Sequence, residues 1–264
     1  MSDLEMQPSR RGLLKLGALG AAVLTAPATL GARTENYPPD VGRKFSAGGR
    51  VLPFAGNTVI CHLPQQGENA AAFDAMLDIY RDVPAHPFAR KIALLPPSSY
   101  HMTVFGGAND RPRMRESWPA DLPFDMPIAE CNRVMTERLK RADLHVALPI
   151  RMRVDLDQKP VNGKALIFLL QPADDGERAK LAKLREQLAD VFKIRAPDAA
   201  SYRFHISLGY AIAWFTPAEM RELETAWARW VRQIADKSPI ITVGAPEYCT
   251  FADMYAFKRQ LLLG

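Results

Sequence analysis

His101-Met102-Thr103-Val104-Phe105 and His205-Ile206-Ser207-Leu208-Gly209 are two copies of one pattern, a histidine followed two positions later by a hydroxyl residue within an alternating, strand-like run. In a strand, side chains at i and i+2 share a face, about 7 Å apart along it. Each copy therefore presents one imidazole and one hydroxyl together, while Met102, Val104, Ile206 and Leu208 take the opposite, apolar face. One such pattern is a weak signal in a chain with five histidines; two in matched surroundings are much stronger. Two pairs facing across a cleft supply a general base, a general acid and two hydroxyl donors, the minimum equipment for metal-free phosphodiester cleavage.

The surroundings match in order and in spacing. Thr58 to Leu63 is strand-like, Phe73, Met76, Leu77 and Tyr80 recur at helical spacing, and Ile92 to Phe105 is extended and carries the first pattern. Ala165 to Leu170 is strand-like, Leu181, Leu184, Leu188, Val191 and Phe192 mark a helix, and Arg203 to Ala211 carries the second. From Thr58 to His101 is 43 positions and from Ala165 to His205 is 40, as expected of a diverged duplication. Asp125 and Pro127 open a further helix, Ile150 to Leu156 alternates as a strand, Asn162-Gly163 is a turn into Ala165, and Pro246 to Leu263 reads as two strands. Thr216-Pro217-Ala218-Glu219 is a capping box that opens a helix with Trp227 and Trp230 on its apolar face, as core residues.

Alternation adds candidate contacts. Arg203 falls on the face of His205 and Ser207, where a guanidinium suits a phosphate. Ser99 falls on the face of His101 and Thr103, Phe105 extends it as a cleft lining, and Asn57 at the start of the first strand is a further polar contact. Tyr100 and Tyr202 fall on the opposite face and read as core. The remaining histidines, His62, His86 and His145, lack the pattern and read as structural or surface residues. No HxH or HExxH occurs and no carboxylate lies near either pattern, so no metal ligand set and no cofactor are expected. The long charged loop from Gly106 to Leu122, with Arg111, Arg113 and Arg115, reads as either a lid or a solvated surface loop.

The N-terminal segment reads as an export signal rather than as part of the fold. Ser9-Arg10-Arg11-Gly12-Leu13-Leu14-Lys15 precedes a short apolar run from Leu16 to Leu24, the form of a twin-arginine (Tat) leader. Small residues allow cleavage after Ala28 or Ala32. Residues 1–32 are thus expected as the signal, 33–56 as a linker or surface arm, and 57–264 as the domain. The expected setting is periplasmic or secreted, with the Tat translocase as a partner during export and no permanent membrane anchor. Net charge is +5, which suits an anionic ligand without demanding nucleic acid, and no stable nucleic-acid complex is expected. Cys61, Cys131 and Cys249 are too few and unpatterned for a disulfide framework.

The strings Pro53 to Leu63, Leu95 to Phe105 and Tyr202 to Ser207 resemble the 2H phosphoesterase superfamily, in a poorly characterised bacterial and fungal branch. The resemblance runs from about Asn57 to Leu263. It implies a bilobal pseudo-twofold α+β fold with antiparallel sheets around a central cleft and helices outside. It also implies a substrate that is a small nucleotide or RNA end, such as a cyclic phosphate or a 2′,5′-linked nucleotide. Ser207 stands where threonine is commoner, a change that keeps the hydroxyl. On this reading His101, Thr103, His205 and Ser207 are catalytic; the alternative is a periplasmic protein that binds phosphorylated nucleotides without turning them over.

Overall fold

A computed structural model describes residues 36–263 except 145, 196 and 198–200. The expected signal at 1–32 and His145 lie outside the described residues. Among the described residues the chain runs β1 (Gly56–His62), α1 (Ala71–Asp82), β2 (Ile92–Leu94), β3 (His101–Asn109), α2 (Ile128–Arg141), β4 (Ile150–Val154), β5 (Ala165–Pro172), α3 (Asp175–Phe192), β6 (His205–Ala211), α4 (Pro217–Lys237), β7 (Ile241–Val243), β8 (Glu247–Phe251) and β9 (Lys258–Leu262). No helix among them is long and apolar enough to cross a membrane.

The strands form one antiparallel sheet in the order β7-β4-β5-β6-β3-β1-β8-β9, with β2 beside β6. This order reads alike from both ends of the duplication. The motif strands β3 and β6 meet at the centre, β1 and β5 flank them, and β8 and β4 come next. The two halves are therefore fused edge to edge in one α+β sheet. The junction between the motif strands is narrow, with Met102 opposite Ile206 as their register pair. The other end of the same β6 edge is taken by β2, with Ile92 opposite Ala211 and Leu94 opposite Gly209. β2 approaches so closely that a Cβ on Gly209 would stand 2.7 Å from the Ala93 carbonyl oxygen, so only glycine fits there.

Apolar alternation explains the core. Met102, Phe168 and Ile206 are buried on the helix-covered face, and Phe168 stacks on Trp227 of α4 with ring centroids 4.3 Å apart. Trp227 and Trp230 are both core residues, as their helical spacing predicts. The capping box forms in both directions: Thr216 Oγ1 accepts from the Glu219 amide, and the Glu219 carboxylate accepts from the Thr216 amide. Each half of the box satisfies an amide that the first helical turn would leave unpaired.

Two segments differ from expectation because apolar anchors hold them down. The described part of the expected arm folds back onto the sheet: Phe45 is fully buried, its ring 5.1 Å from that of Tyr210, and the Phe54 amide donates to the Ala252 carbonyl. In the loop from Gly106 to Leu122, β3 runs on to Asn109 and Trp118 is buried. Arg113 lies over the Trp118 ring and donates to the carbonyls of Phe124 and Met126. That segment is a pinned connection on an aromatic anchor.

Candidate active site

The junction of β3 and β6 generates the site. Continuing the antiparallel register one residue each way from Met102 and Ile206 sets His101 opposite Ser207 and Thr103 opposite His205. Met102 and Ile206 are buried, whereas all four polar residues are partly exposed. The two imidazoles and two hydroxyls thus share one face, with each histidine beside the other strand's hydroxyl, about a pseudo-twofold axis between Met102 and Ile206.

Each histidine is oriented by the same backbone device. His101 Nδ1 donates to the Ser99 carbonyl at 2.6 Å, and His205 Nδ1 donates to the Arg203 carbonyl at 3.0 Å. A carbonyl can only accept, so Nδ1 carries the hydrogen in both rings and Nε2 keeps a lone pair when the ring is neutral. Burial pushes the His101 pKa down to about 4, helped by His62 and His205 and opposed by the Ser99 hydrogen bond. Burial also lowers His205, with the Lys44 charge adding to the effect against the Arg203 carbonyl.

Ser99 and Arg203, expected to offer side chains to the ligand, therefore contribute carbonyls to the histidines. Ser99 lies in a one-turn helix, Pro97–Ser99, rather than on the strand, and its buried hydroxyl donates to the Pro96 carbonyl at 2.7 Å. Arg203 precedes β6, and its guanidinium pairs with Asp155 at 2.7 Å.

Phe105 turns away from the histidines because β3 carries a bulge. Ile60 pairs with Thr103 but Val59 pairs with Phe105, which leaves Val104 as an extra residue. The period-2 alternation slips by one, and Phe105 packs on Phe192 of α3 at 5.1 Å. β6 bulges at the equivalent point: Ile167 pairs with Ser207 and Leu166 with Gly209, leaving Leu208 extra. Both bulges fall directly after the hydroxyl of the pattern, a duplicated feature of the backbone. Asn57 is likewise structural in position. Its Nδ2 donates to Asn132 of α2 at 2.7 Å and its Oδ1 accepts from the Ala108 amide at 3.1 Å, so both ends of the buried amide are spent.

Tyr202, expected in the core, is half-buried and donates to the Thr103 carbonyl at 3.1 Å, while Arg185 of α3 donates to the Val104 carbonyl. Both serve the edge of β3 where pairing with β6 has ended. Beside them opens a cavity of about 810 Å³, lined in part by Phe105, Arg185, Tyr202 and Arg203 but by none of the four motif side chains. Two expected ligand contacts, Phe105 and Arg203, thus meet in a side cavity.

Sequence reasoning missed several neighbours. Lys44, from the arm, stands 4.6 Å from the Tyr210 ring centroid, held by Asp40 at 3.4 Å, and its charge reaches His205. His62 is the register partner of His101, ring centroids 6.1 Å apart. Phe257 packs edge-on against His101 at 4.3 Å. Continuing the alternation of the first strand to His62 would have found that residue; nothing local marks Lys44 or Phe257, which arrive through the fold. His86 fits its structural reading, stacked on Phe88 between Asp82 and Glu222.

Residues 44–161 match a family model named 2H-phosphodiest and described as a domain of unknown function (DUF1868). The fold is similar to the crystal structure of a conserved protein of unknown function from Agrobacterium tumefaciens, with a TM-score of 0.77 and 31% sequence identity. That alignment covers 86% of this chain and 94% of the other, so it includes both motif strands. No functionally curated protein matches.

Proposed function

The chain belongs to the 2H phosphoesterase superfamily, a membership that supports phosphoester hydrolysis in general, and we propose that it is a metal-independent phosphodiesterase acting on a cyclic or 2′,5′-linked nucleotide. The observation that carries this reading is the matched pair of carbonyl-clamped histidines, each with Nε2 free to exchange a proton. A protein that only held phosphate would gain more from permanent cations than from two imidazoles whose protonation burial disfavours.

We assign the roles of the two rings from the depth of their burial, which lowers both pKa values. His101, the more strongly depressed, is neutral and serves as general base: its Nε2 takes the proton of a water, or of a ribose hydroxyl, as that oxygen attacks phosphorus. His205, protonated, gives its Nε2 proton to the leaving oxygen as the P–O bond breaks. The hydroxyls of Thr103 and Ser207 donate to the non-bridging oxygens, where charge grows in the transition state. An incoming phosphate anion favours the protonated form of His205, which supplies the acid when substrate is bound. The twin-arginine leader supports delivery to the periplasm, which fractionation of the native host tests by locating the processed chain.

The deciding experiment is turnover of 2′,3′-cyclic nucleotides, ADP-ribose cyclic phosphate and short 2′,5′-linked oligonucleotides in EDTA, with His101→Ala and His205→Ala alongside. Turnover that survives EDTA and is abolished by both substitutions supports the two-histidine mechanism. Activity lost in EDTA and restored by a metal overturns the metal-free reading. Phosphate-ligand capture without turnover favours the binding protein.

A further inference from the structure

The two halves of the sheet differ in polarity beside the first histidine. In the second half the register partner of His205 is Leu169; in the first, His62 takes that place opposite His101. Next to it β8 brings Glu247 and Cys249, two positions apart and so on one face of the strand. His62, Glu247 and Cys249 each offer a ligand atom within 4.8 Å of the others. The cluster is therefore an addition to the duplicated framework.

These groups do little for one another as they stand. No hydrogen bond among the described residues engages the His62 ring. The Glu247 side chain is only 13% exposed, yet its cation, Arg259, stands off at 3.7 Å. The Cys249 thiol is fully buried and reaches Glu247 only across 4.0 Å. A half-buried imidazole, a largely buried carboxylate held only by long contacts and a buried thiol thus stand together on neighbouring strands, three donor types that suit one metal ion.

We propose that His62, Glu247 and Cys249 bind a single zinc ion on the cleft side of the sheet, beside His101. One imidazole, one carboxylate and one thiolate are three of the four ligands of a tetrahedral zinc site, with the fourth position open to water or to an oxygen of a bound ligand. Two ligands of one such ion stand about 3.5 Å apart, so side-chain shifts of the order of 1 Å close the site. Thiolate with imidazole favours zinc over magnesium or calcium, which prefer oxygen donors. On binding, the Cys249 S–H bond breaks, its proton passes to solvent and a Zn–S bond forms, while His62 binds as the neutral ring. The site takes no part in the proton transfers proposed above.

The test titrates zinc into the purified protein against a chromophoric chelator, with no substrate present, so that its result stands whether or not the phosphodiesterase reading holds. Expected are one zinc per chain, proton release on binding, and affinity weakened about tenfold or more in His62→Ala and Glu247→Gln. Cobalt in place of zinc gives a thiolate-to-metal charge-transfer absorption that Cys249→Ser lacks. Absence of stoichiometric uptake, or unchanged affinity in His62→Ala, overturns the proposal. Should Cys249→Ser fail to fold by circular dichroism, the partly exposed His62 and Glu247 substitutions decide the matter.

Discussion

Met102 lies directly opposite Ile206, and through this register pair the two motif strands join. One apolar contact between strands thus sets the facing of two imidazoles and two hydroxyls. Truncating it, as in Met102→Ala, removes a fully buried side chain and is expected to cost about 2–5 kcal/mol. Urea denaturation measures this, and a loss under about 1 kcal/mol would show that the junction does not depend on that contact.

The hydroxyls act where charge develops. Thr103→Val and Ser207→Ala are each expected to lower kcat by roughly 10²–10³ with little change in KM, by analogy with removal of one oxyanion donor. Ser207→Thr restores the commoner residue and keeps most of the rate. Steady-state kinetics with the best substrate of the panel checks both; a rise in KM at constant kcat would instead make the hydroxyls ground-state contacts.

The pH profile follows from burial. The active form needs His101 neutral and His205 protonated. His101 is lowered to about 4 and His205 lies below its ordinary 6.5. The kcat/KM profile of the free enzyme is therefore a bell with its optimum on the acid side of pH 6.5. Stability carries the same signature. Between pH 6.5 and about 4 the unfolded chain binds a proton on His101 that the folded chain does not, so stability falls as pH drops through that window. The loss is at most about 1.4 kcal/mol per pH unit from this group, and His101→Gln removes it. An optimum above pH 7.5 would contradict the assignment.

Lys44 is the cation that helps hold His205 down. In Lys44→Met that repulsion is gone, the His205 pKa rises, and the alkaline limb of the kcat/KM profile moves to higher pH. A limb that stays in place would mean that Lys44 serves only its packing over Tyr210 and Phe54.

Ser99 and Arg203 separate backbone from side-chain roles. Because their carbonyls orient the histidines, Ser99→Ala and Arg203→Ala are expected to keep turnover within a few-fold of wild type. Arg203→Pro has the opposite expectation: it restricts the backbone that presents the carbonyl and lowers kcat. A hundredfold loss in Arg203→Ala would return the guanidinium to the substrate.

Periodicity in the chain by itself determined that His101 with Thr103 and His205 with Ser207 share strand faces. It also placed two strand-helix-strand halves around them, and it marked Trp227 and Trp230 as core and Thr216 to Glu219 as a helix start. These are local properties, legible because a strand repeats every two residues and a helix every 3.6. Tertiary structure alone decided what depends on a partner strand or a distant segment. The bulge after Thr103 exists only in register with β1, and it sends Phe105 onto Phe192 instead of into the cleft. Ser99 and Arg203 act through carbonyls, whose direction no side-chain pattern encodes. Lys44, Phe257 and the His62, Glu247 and Cys249 group reach the site through sheet order and chain return, long-range contacts that leave no mark on the sequence around them.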